Sequence, residues 1–128
     1  MGQWLRDHRL LPDIIFCSTA KRAHKTAQKV IDSSGYSGPL ELESSLYAAR
    51  PEEYLAVLAG AADAHRRAMV VGHNPGLEEL LEQLTGVYEP LPTAALAQVD
   101  LPLESWRDLD EPVRATLVGV WRPRELDV

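Results

Sequence analysis

The sequence predicts an α/β fold, a three-layer sandwich in which helices cover a mainly parallel central sheet. Short continuous apolar runs such as residues 14–17 are typical of strands that are buried on both faces. Amphipathic segments with helix start and stop signals lie between these runs. Strands that alternate with helices form parallel sheets, and ligands bind such sheets at the carboxyl ends of the strands.

The first half of the chain is expected to hold two helices and two strands. The first helix has an apolar face at helical spacing, and the first strand is continuously apolar. The second helix closes at Ser34-Gly35, and the second strand alternates in polarity. In order, these elements cover residues 1–9 (helix), 14–17 (strand), 21–33 (helix) and 40–43 (strand).

The second half continues the alternation and ends in two further strands. A helix begins at Pro51, where a proline followed by two acids is typical of a first helical turn. An apolar run that ends at Val71 predicts another buried strand. The remaining predicted elements are a helix over residues 75–84, strands over 94–101 and 114–121, and an irregular acidic stretch over 102–112 between those strands.

Composition limits the classes of function. The 128 residues suit one domain, residues 1–128, and 45% apolar with 25% charged residues is ordinary for a soluble globular protein. No apolar run is long enough to span a membrane, and the one cysteine, Cys17, favours a cytoplasmic location without disulfides. The net charge of −6 and the lack of a dense basic cluster argue against nucleic-acid binding. A phosphate would therefore need a local pocket.

One candidate site follows the first strand, where Ser18-Thr19 leads into a helix whose first turn carries Arg22. Helix N-termini favour anions, and a guanidinium group matches two phosphate oxygens. Ser18 and Arg22 are therefore candidate phosphate-binding residues. The same pattern is also typical of a simple helix cap followed by a solvated arginine, and the residues alone leave both interpretations open.

A second candidate site is Gly72-His73-Asn74-Pro75-Gly76, directly after the strand that ends at Val71. Gly72 permits the close approach of another group, and Asn74-Pro75 begins a helix. A histidine at this position can hydrogen-bond or protonate a phosphoryl oxygen. The alternative is a core or capping histidine with no chemical role.

The remaining polar residues give weaker indications. We expect His8, His24 and His65 to lie on solvated surfaces, and no histidine shows metal-ligand spacing. Glu52 is a possible general acid, although acids at a helix start more often serve the helix dipole. Nucleotide-binding glycine patterns are absent as well. The residues alone therefore indicate neither a zinc site nor a nucleotide-binding loop.

Two segments resemble motifs of the histidine phosphatase superfamily. Residues 18–27, Ser-Thr-Ala-Lys-Arg-Ala-His-Lys-Thr-Ala, resemble its second-arginine motif, Ser-x-x-x-Arg-Ala-x-x-Thr-Ala. Residues 70–75, Val-Val-Gly-His-Asn-Pro, resemble its second-histidine motif. The motifs occur in the family's order and spacing, and the compact plan is most similar to the bacterial SixA-like phosphohistidine phosphatases. The resemblance covers essentially the whole chain and implies a phosphoglycerate mutase-like fold.

The resemblance also implies an activity. A first histidine attacks phosphorus and becomes phosphohistidine, and water then releases phosphate, while two arginines and the second histidine stabilise the phosphoryl oxygens. By match, Arg22 is the second arginine and His73 the second histidine, with Ser18 and Asn74 beside them. The implied partners are phosphate, a phosphorylated protein or a small phosphoester, and no cofactor is required.

The chain departs from the family at the nucleophile. The family begins with a strand that carries Arg-His-Gly or Arg-His-Ala, whereas none of His8, His24 and His65 follows a predicted strand or precedes a glycine. We therefore expect the first central strand to be missing and the chain to be inactive as given. The missing strand is expected between the strands that end at Cys17 and Val71, where its loss leaves two unpaired edges.

Two explanations and three functions remain open at the sequence level. Either Met1 is an internal methionine of a longer, N-terminally extended protein, or a short chain closes the gap by rearrangement, by strand donation, or as a homo-oligomer through exposed strand edges. The leading function is a phosphohistidine or phosphomonoester phosphatase. The alternatives are a non-catalytic module that binds phosphate or phosphoproteins, and an α/β interaction domain whose motif matches are accidental.

Overall fold

The computed structural model describes residues 2–110 and 113–122, and its elements follow the predicted alternation of strands and helices. The helices are α1 (Gly2–Asp7), α2 (Lys21–Ser34), α3 (Pro51–Ala59) and α4 (Gly76–Thr85), and the strands are β1 (Ile14–Ser18), β2 (Leu40–Glu43), β3 (Ala68–Val71), β4 (Leu96–Asp100) and β5 (Thr116–Trp121). Short 3-10 turns cover Ser44–Leu46 and Trp106–Asp110. Met1 of the first predicted helix and residues 111–112 of the predicted irregular stretch lie outside the described residues.

The strands form two separate sheets. In the first, β1 lies between β2 and β3, and all three strands run parallel. In the second, β4 and β5 pair antiparallel, with an irregularity between Gln98 and Val99. The predicted α/β class with a mainly parallel sheet is therefore confirmed.

β1 organises the core because its two faces pack against different helices. Ile14 and Phe16 belong to a buried cluster that includes side chains of α3 and α4. Cys17 lies on the opposite face and packs against Ala23 and Ala27 of α2. Side chains alternate along a strand, so this arrangement buries every residue of β1 and places helices on both faces.

The predicted position of the missing strand is wrong. β1 and β3 pair directly, from Ile14 opposite Ala68 to Cys17 opposite Val71, so no gap separates them. The break lies between β3 and β4, where residues of both strands line a cavity of about 440 Å³. An apolar run indicates that a strand exists, but the order of strands depends on long-range packing that the run does not encode.

Glycines close two of the helices, and the closing glycine after α2 was predicted. Gly35 follows α2 and Gly86 follows α4, and both adopt the left-handed conformation that closes a helix. The longest helix, α2, has 14 residues. Within the described part of the chain, no helix combines the length and the apolar character required to cross a membrane.

Candidate functional site

The two predicted polar segments meet at the carboxyl end of the parallel sheet. Because Cys17 of β1 lies opposite Val71 of β3, the residues that follow them, Ser18 and Gly72, emerge at the same edge. His73 comes next, and its Nε2 atom lies 2.9 Å from the Ser18 hydroxyl oxygen. The structure thus brings together a serine and a histidine that are 55 positions apart in the sequence.

Ser18 holds the His73 ring rather than facing solvent. The Ser18 side chain is fully buried, and its oxygen also accepts a 3.2 Å hydrogen bond from the backbone N–H of Ala20. In the tautomer of neutral His73 that carries its proton on Nδ1, Nε2 accepts a hydrogen bond from the Ser18 hydroxyl, while the Ser18 oxygen accepts from Ala20. In that tautomer Nδ1 can donate to a ligand.

Tyr54 of α3 fixes the backbone of His73. Its phenol oxygen accepts the His73 backbone N–H at 3.1 Å, and the Tyr54 ring is completely buried. Burial raises the pKa of Tyr54, which keeps the phenol protonated. The predicted close approach at Gly72 is confirmed, since a Cβ atom at Gly72 would overlap the Tyr54 hydroxyl.

His73 lines a cleft of about 410 Å³ together with Arg50 and Glu79. Arg50 forms a long 3.9 Å contact with Glu52, and both side chains are more than two-thirds exposed. An exposed ion pair of this kind adds little to stability. The Arg50 guanidinium can therefore reorient toward an anion in the cleft. The exposed Tyr47 ring lies 6.2 Å from the His73 ring, centre to centre.

The sequence patterns gave no indication of Arg50 or Glu79. Arg50 immediately precedes the helix start at Pro51, where its backbone N–H donates to Glu53, and this local pattern describes only a helix start. Glu79 lies one turn into α4, where an acid is also unremarkable. Only the packing of α3 and α4 around His73 places these opposite charges in one cleft.

Arg22 lies in the first turn of α2, directly after β1, as predicted. Its side chain is exposed, and its backbone carbonyl accepts a hydrogen bond from Thr26. Neither Ser18 nor Thr19 is the capping residue of α2, because that position belongs to Ala20 and no side chain caps it. The first turn of α2, which carries Arg22, lies at the same end of the sheet as His73.

Asn74 lines the His73 cleft, whereas Glu52 is not among the lining residues. The Asn74 side-chain amide donates to the backbone carbonyl of Leu91 at 2.6 Å, which anchors the loop after α4. The Asn74–Pro75 peptide bond is cis. Glu52 is exposed beside Arg50, and the carboxylate that lines the His73 cleft is Glu79.

The other histidines occupy different surroundings. His8 stacks on Trp4 at 4.1 Å between ring centres and is exposed, as predicted. His24 lies exposed on α2, and His65 lies in a half-buried turn before β3. Cys17 is buried, and burial raises the pKa of its thiol, so the thiolate form is disfavoured. None of these four residues lies among those that line the His73 cleft.

Sequence comparison identifies relatives without an assigned role. No family model matches the chain. Uncharacterized protein Rv1276c of Mycobacterium tuberculosis (strain ATCC 25618 / H37Rv) is 31% identical over 134 residues, which cover 96% of this chain and 81% of the relative. Uncharacterized protein ML1117 of Mycobacterium leprae (strain TN) is 29% identical over 85 residues, covering 66% and 50% of the two chains.

Solved structures decide the family. SixA of Nakamurella multipartitia superposes with a TM-score of 0.76 at 26% identity, covering 95% of this chain and 77% of SixA. SixA of Agrobacterium tumefaciens gives 0.78 at 28% identity, with coverage of 95% and 75%. The protein histidine phosphatase SixA complexed with tungstate gives 0.81 at 21% identity, a likeness of fold, with coverage of 98% and 78%.

The chain belongs to the SixA-like histidine phosphatases.

Membership in this superfamily confirms the resemblance that the two motifs indicated. The chain spans about three quarters of each of these solved SixA structures. The two segments that resemble the second-arginine and second-histidine motifs lie at the carboxyl ends of β1 and β3, which pair directly. The geometry of Ser18 and His73 is thus part of a histidine phosphatase fold.

Proposed function

We propose that this chain supplies the phosphoryl-binding half of a phosphohistidine or phosphomonoester phosphatase site, and that the attacking histidine is not among its 128 residues. The observation that carries the proposal is the 2.9 Å contact between His73 Nε2 and the Ser18 hydroxyl at the end of the parallel sheet. It fixes a histidine beside the first turn of α2, which carries Arg22. The substrates are phosphorylated proteins or small phosphoesters.

Each residue has a distinct role in this site. Arg22 pairs with phosphoryl oxygens through its guanidinium fork, as its match to the family motif implies. His73 donates from Nδ1 to a phosphoryl oxygen, because Ser18 occupies Nε2. Arg50 adds a second positive charge from the cleft that it shares with His73. These local charges compensate for a chain whose net charge is −6.

The chemistry requires a nucleophile that this set does not contain. In the two-step reaction a histidine nitrogen forms a bond to phosphorus while the bond to the leaving group breaks, and water then displaces the histidine to release phosphate. His73 contacts Ser18 through Nε2, and its role in this proposal is to stabilise a phosphoryl oxygen and not to attack phosphorus. His8, His24 and His65 lie in a helix end, a helix face and a turn, and none of them follows a strand.

The finer assignments belong to the same proposal. We infer that residues 1–128 act as one domain, with Asn74 as a rim residue and Glu79 or Glu52 as the acid nearest a leaving group. Glu79 is the better placed of the two, because it lines the His73 cleft. A cytoplasmic setting agrees with the free, buried thiol of Cys17.

Anion binding tests the phosphoryl-binding half. We expect the chain to bind tungstate, and Arg22→Ala or His73→Ala to weaken binding about 10- to 100-fold, because a hydrogen bond to a charged group contributes about 1.5–3 kcal/mol. Titration calorimetry measures the dissociation constants. Arg107→Ala, at an exposed arginine far along the chain in the second 3-10 turn, is the matched control and should not change affinity. Equal weakening by all three variants would contradict the proposed site.

A turnover assay tests the missing nucleophile. We expect no sustained release of phosphate from p-nitrophenyl phosphate or from a phosphohistidine protein. Added imidazole should restore release of p-nitrophenol, since its nitrogen can attack phosphorus in place of a histidine and form phosphoimidazole. This rescue should disappear in His73→Ala. Steady release without imidazole, lost on His73→Ala, would sink the missing-nucleophile proposal.

A second function uses the same residues without chemistry. A phosphate- or phosphoprotein-binding module is favoured by the fact that, of the four histidines, only His73 follows a strand. Such a module would bind tungstate through Arg22 and His73, yet imidazole would produce no p-nitrophenol above the buffer rate. The rescue experiment therefore separates a phosphatase site from a binding site.

A further inference from the structure

The second helix, α2, carries a row of lysines on its outer face. Lys21, Lys25 and Lys29 follow one another at intervals of four residues, and all three are exposed. Residues at this spacing lie on one side of a helix, and the row is about 12 Å long at 1.5 Å per residue. Ala23 and Ala27, which are buried against β1, lie on the opposite side of the helix. We call the three lysines the α2 stripe.

The α2 stripe has no ion-pair partner within residues 2–110 and 113–122. The ion pairs that join residues of these ranges, Arg50 with Glu52 and Arg122 with Glu89, involve other elements. Asp32, the one acid of α2, accepts a hydrogen bond from Gln28 at 3.0 Å. The positive charges of the stripe are therefore available to a partner from outside the described part of the chain.

Local electrostatics oppose this placement of charge. Cations in the first turn of a helix face the positive end of its dipole, and like charges four residues apart repel each other. α2 holds four basic residues and one acid, a net charge of +3 with neutral histidines, in a chain whose net charge is −6. The helices on the other side of the His73 cleft, α3 and α4, instead carry acids in their first turns. Departures from local rules of this kind are expected at functional sites.

The α2 stripe begins at the candidate site. Lys21 directly precedes Arg22, and the first turn of α2 lies at the same end of the sheet as His73. From there the stripe follows α2 away from this edge of the sheet, as far as Lys29. Positive charge therefore continues from the phosphoryl-binding residues onto the outer surface of the helix.

We propose that the α2 stripe binds an acidic segment of a phosphorylated protein whose phosphoryl group is held by Arg22 and His73. This inference rests on the proposed function, because the phosphoryl group anchors the partner at the start of the stripe. An extended segment advances about 3.3 Å per residue, so about four residues cover the stripe. Glutamate or aspartate side chains within about four residues of the phosphorylated position then pair with the lysines.

An acidic polypeptide fits the α2 stripe better than other anionic partners. α2 contains no tryptophan, tyrosine or phenylalanine on which a nucleobase could stack, and a long nucleic acid would also meet the negative field of the whole chain. The exposed large apolar side chains of the described residues lie outside α2, so this helix offers no apolar surface to a membrane. A short acidic segment interacts mainly with the stripe, since charges beyond about 8 Å are screened at physiological salt.

Matched phosphopeptides test the proposal on the full 128-residue chain. Each peptide has one phosphoserine and four neighbouring residues, either all glutamate or all glutamine, placed before the phosphoserine in one pair and after it in the other. We expect one glutamate peptide to bind about tenfold or more tightly than its glutamine counterpart in titration calorimetry at low salt. This preference should vanish at about 1 M salt, where the Debye length falls to about 3 Å. Equal affinity of the glutamate and glutamine peptides in both pairs would overturn the proposal.

A pair of double variants locates the binding surface. Lys25→Glu with Lys29→Glu reverses two charges of the α2 stripe. Arg66→Glu with Arg107→Glu makes the same change in net charge at exposed positions, one just before β3 and one in the second 3-10 turn. The first should abolish the preference for glutamate and the second should keep it. Retention of the preference by the first variant would overturn the proposal, and the peptides on the unaltered chain decide the question if that variant fails to fold.

Tungstate and DNA separate the remaining outcomes. The two double variants should bind tungstate equally, because neither alters Arg22 or His73. Tungstate binding by the unaltered chain without a preference for glutamate would overturn this inference alone, whereas no tungstate binding would overturn the proposed function and this inference with it. Tighter binding of a twelve-nucleotide DNA strand than of either glutamate peptide, lost on reversal of Lys25 and Lys29, would overturn the proposal in favour of a nucleic acid.

Discussion

Ser18 and Ser34 are two buried serines with similar local bonds and different surroundings. Each accepts a backbone N–H from the residue two positions ahead, Ala20 and Tyr36 respectively. Ser18 additionally contacts the ring of His73, which lies across the sheet. Substitutions at the two serines therefore distinguish the stability that is lost with a buried hydroxyl from the effect of losing the contact with the His73 ring.

Alanine at each serine tests this distinction. We expect Ser18→Ala and Ser34→Ala to lower the free energy of unfolding by similar amounts, about 1 kcal/mol, because each leaves one backbone amide without its acceptor. Ser18→Ala alone should change the imidazole ¹⁵N shifts of His73, since Nε2 loses its partner, and should weaken tungstate binding about tenfold. Urea unfolding, NMR and calorimetry measure the three quantities. Unchanged His73 shifts in Ser18→Ala would show that the serine does not set the state of the ring.

Sequence patterns predicted Ser18 and His73 as site residues but did not predict Arg50. Ser18 and His73 could be predicted as neighbours because each follows an apolar strand, and parallel strands end at the same edge. The contact that fixes His73 Nε2 to Ser18 depends on the register of β1 and β3, which the patterns do not contain. Arg50 was missed because its neighbours describe a helix start, while its place in the cleft depends on α4.

At the scale of elements, α3 and the end of β3 are joined at one point. The Tyr54 hydroxyl of α3 accepts the His73 backbone N–H, and Gly72 allows the ring to approach. Gly60, just after α3, has open surroundings, with 3.6 Å as the nearest approach to a Cβ atom there, and a right-handed backbone conformation. These two glycines therefore respond differently to an added methyl group.

A double-mutant cycle tests the contact between Gly72 and Tyr54. We expect Gly72→Ala to destabilise the protein by about 1–3 kcal/mol, because the new methyl group overlaps a buried ring. Tyr54→Phe removes the overlapping hydroxyl and should offset part of that cost, giving a non-additive cycle. Gly60→Ala should be neutral or stabilise by up to about 1 kcal/mol. Urea denaturation measures all four variants, and strict additivity of the Gly72 and Tyr54 changes would contradict the contact.

The elements themselves were predictable where local signals were strong. β1, α2 and β2 begin at the expected residues, because apolar runs, helix periodicity and a closing glycine are local features. β3 was expected to be buried and is half-buried, since its outer edge faces the cavity. The strand's own residues carry no information about whether that edge is covered.

At the scale of the whole molecule, the second sheet is attached without strand pairing to the first. The backbone N–H of Ala115 donates to the carbonyl of Leu84 in α4 at 2.8 Å. The Trp121 ring of β5 lies 4.5 Å from the Trp4 ring of α1, between centres. The sequence indicated a gap in the sheet and placed it one strand away from its actual position, because strand order is a property of the assembled fold.

Because the two sheets do not pair with each other, we expect the β4-β5 sheet to open locally at a lower free energy than the β2-β1-β3 sheet. Trp121→Ala removes an aromatic contact that holds β5 to α1, and we expect amide exchange in β4 and β5 to accelerate about tenfold or more, while exchange in β1 changes little. Tyr88→Ala, at an exposed aromatic residue, is the matched control and should leave both rates unchanged. Hydrogen exchange followed by NMR or mass spectrometry measures the rates. Equal acceleration in β1 and β5 would show instead that the two sheets unfold as one unit. Since β4 forms one side of the cavity, a hairpin that detaches below global unfolding would let the cavity open while the β2-β1-β3 sheet, with Ser18 and His73 at its edge, stays intact.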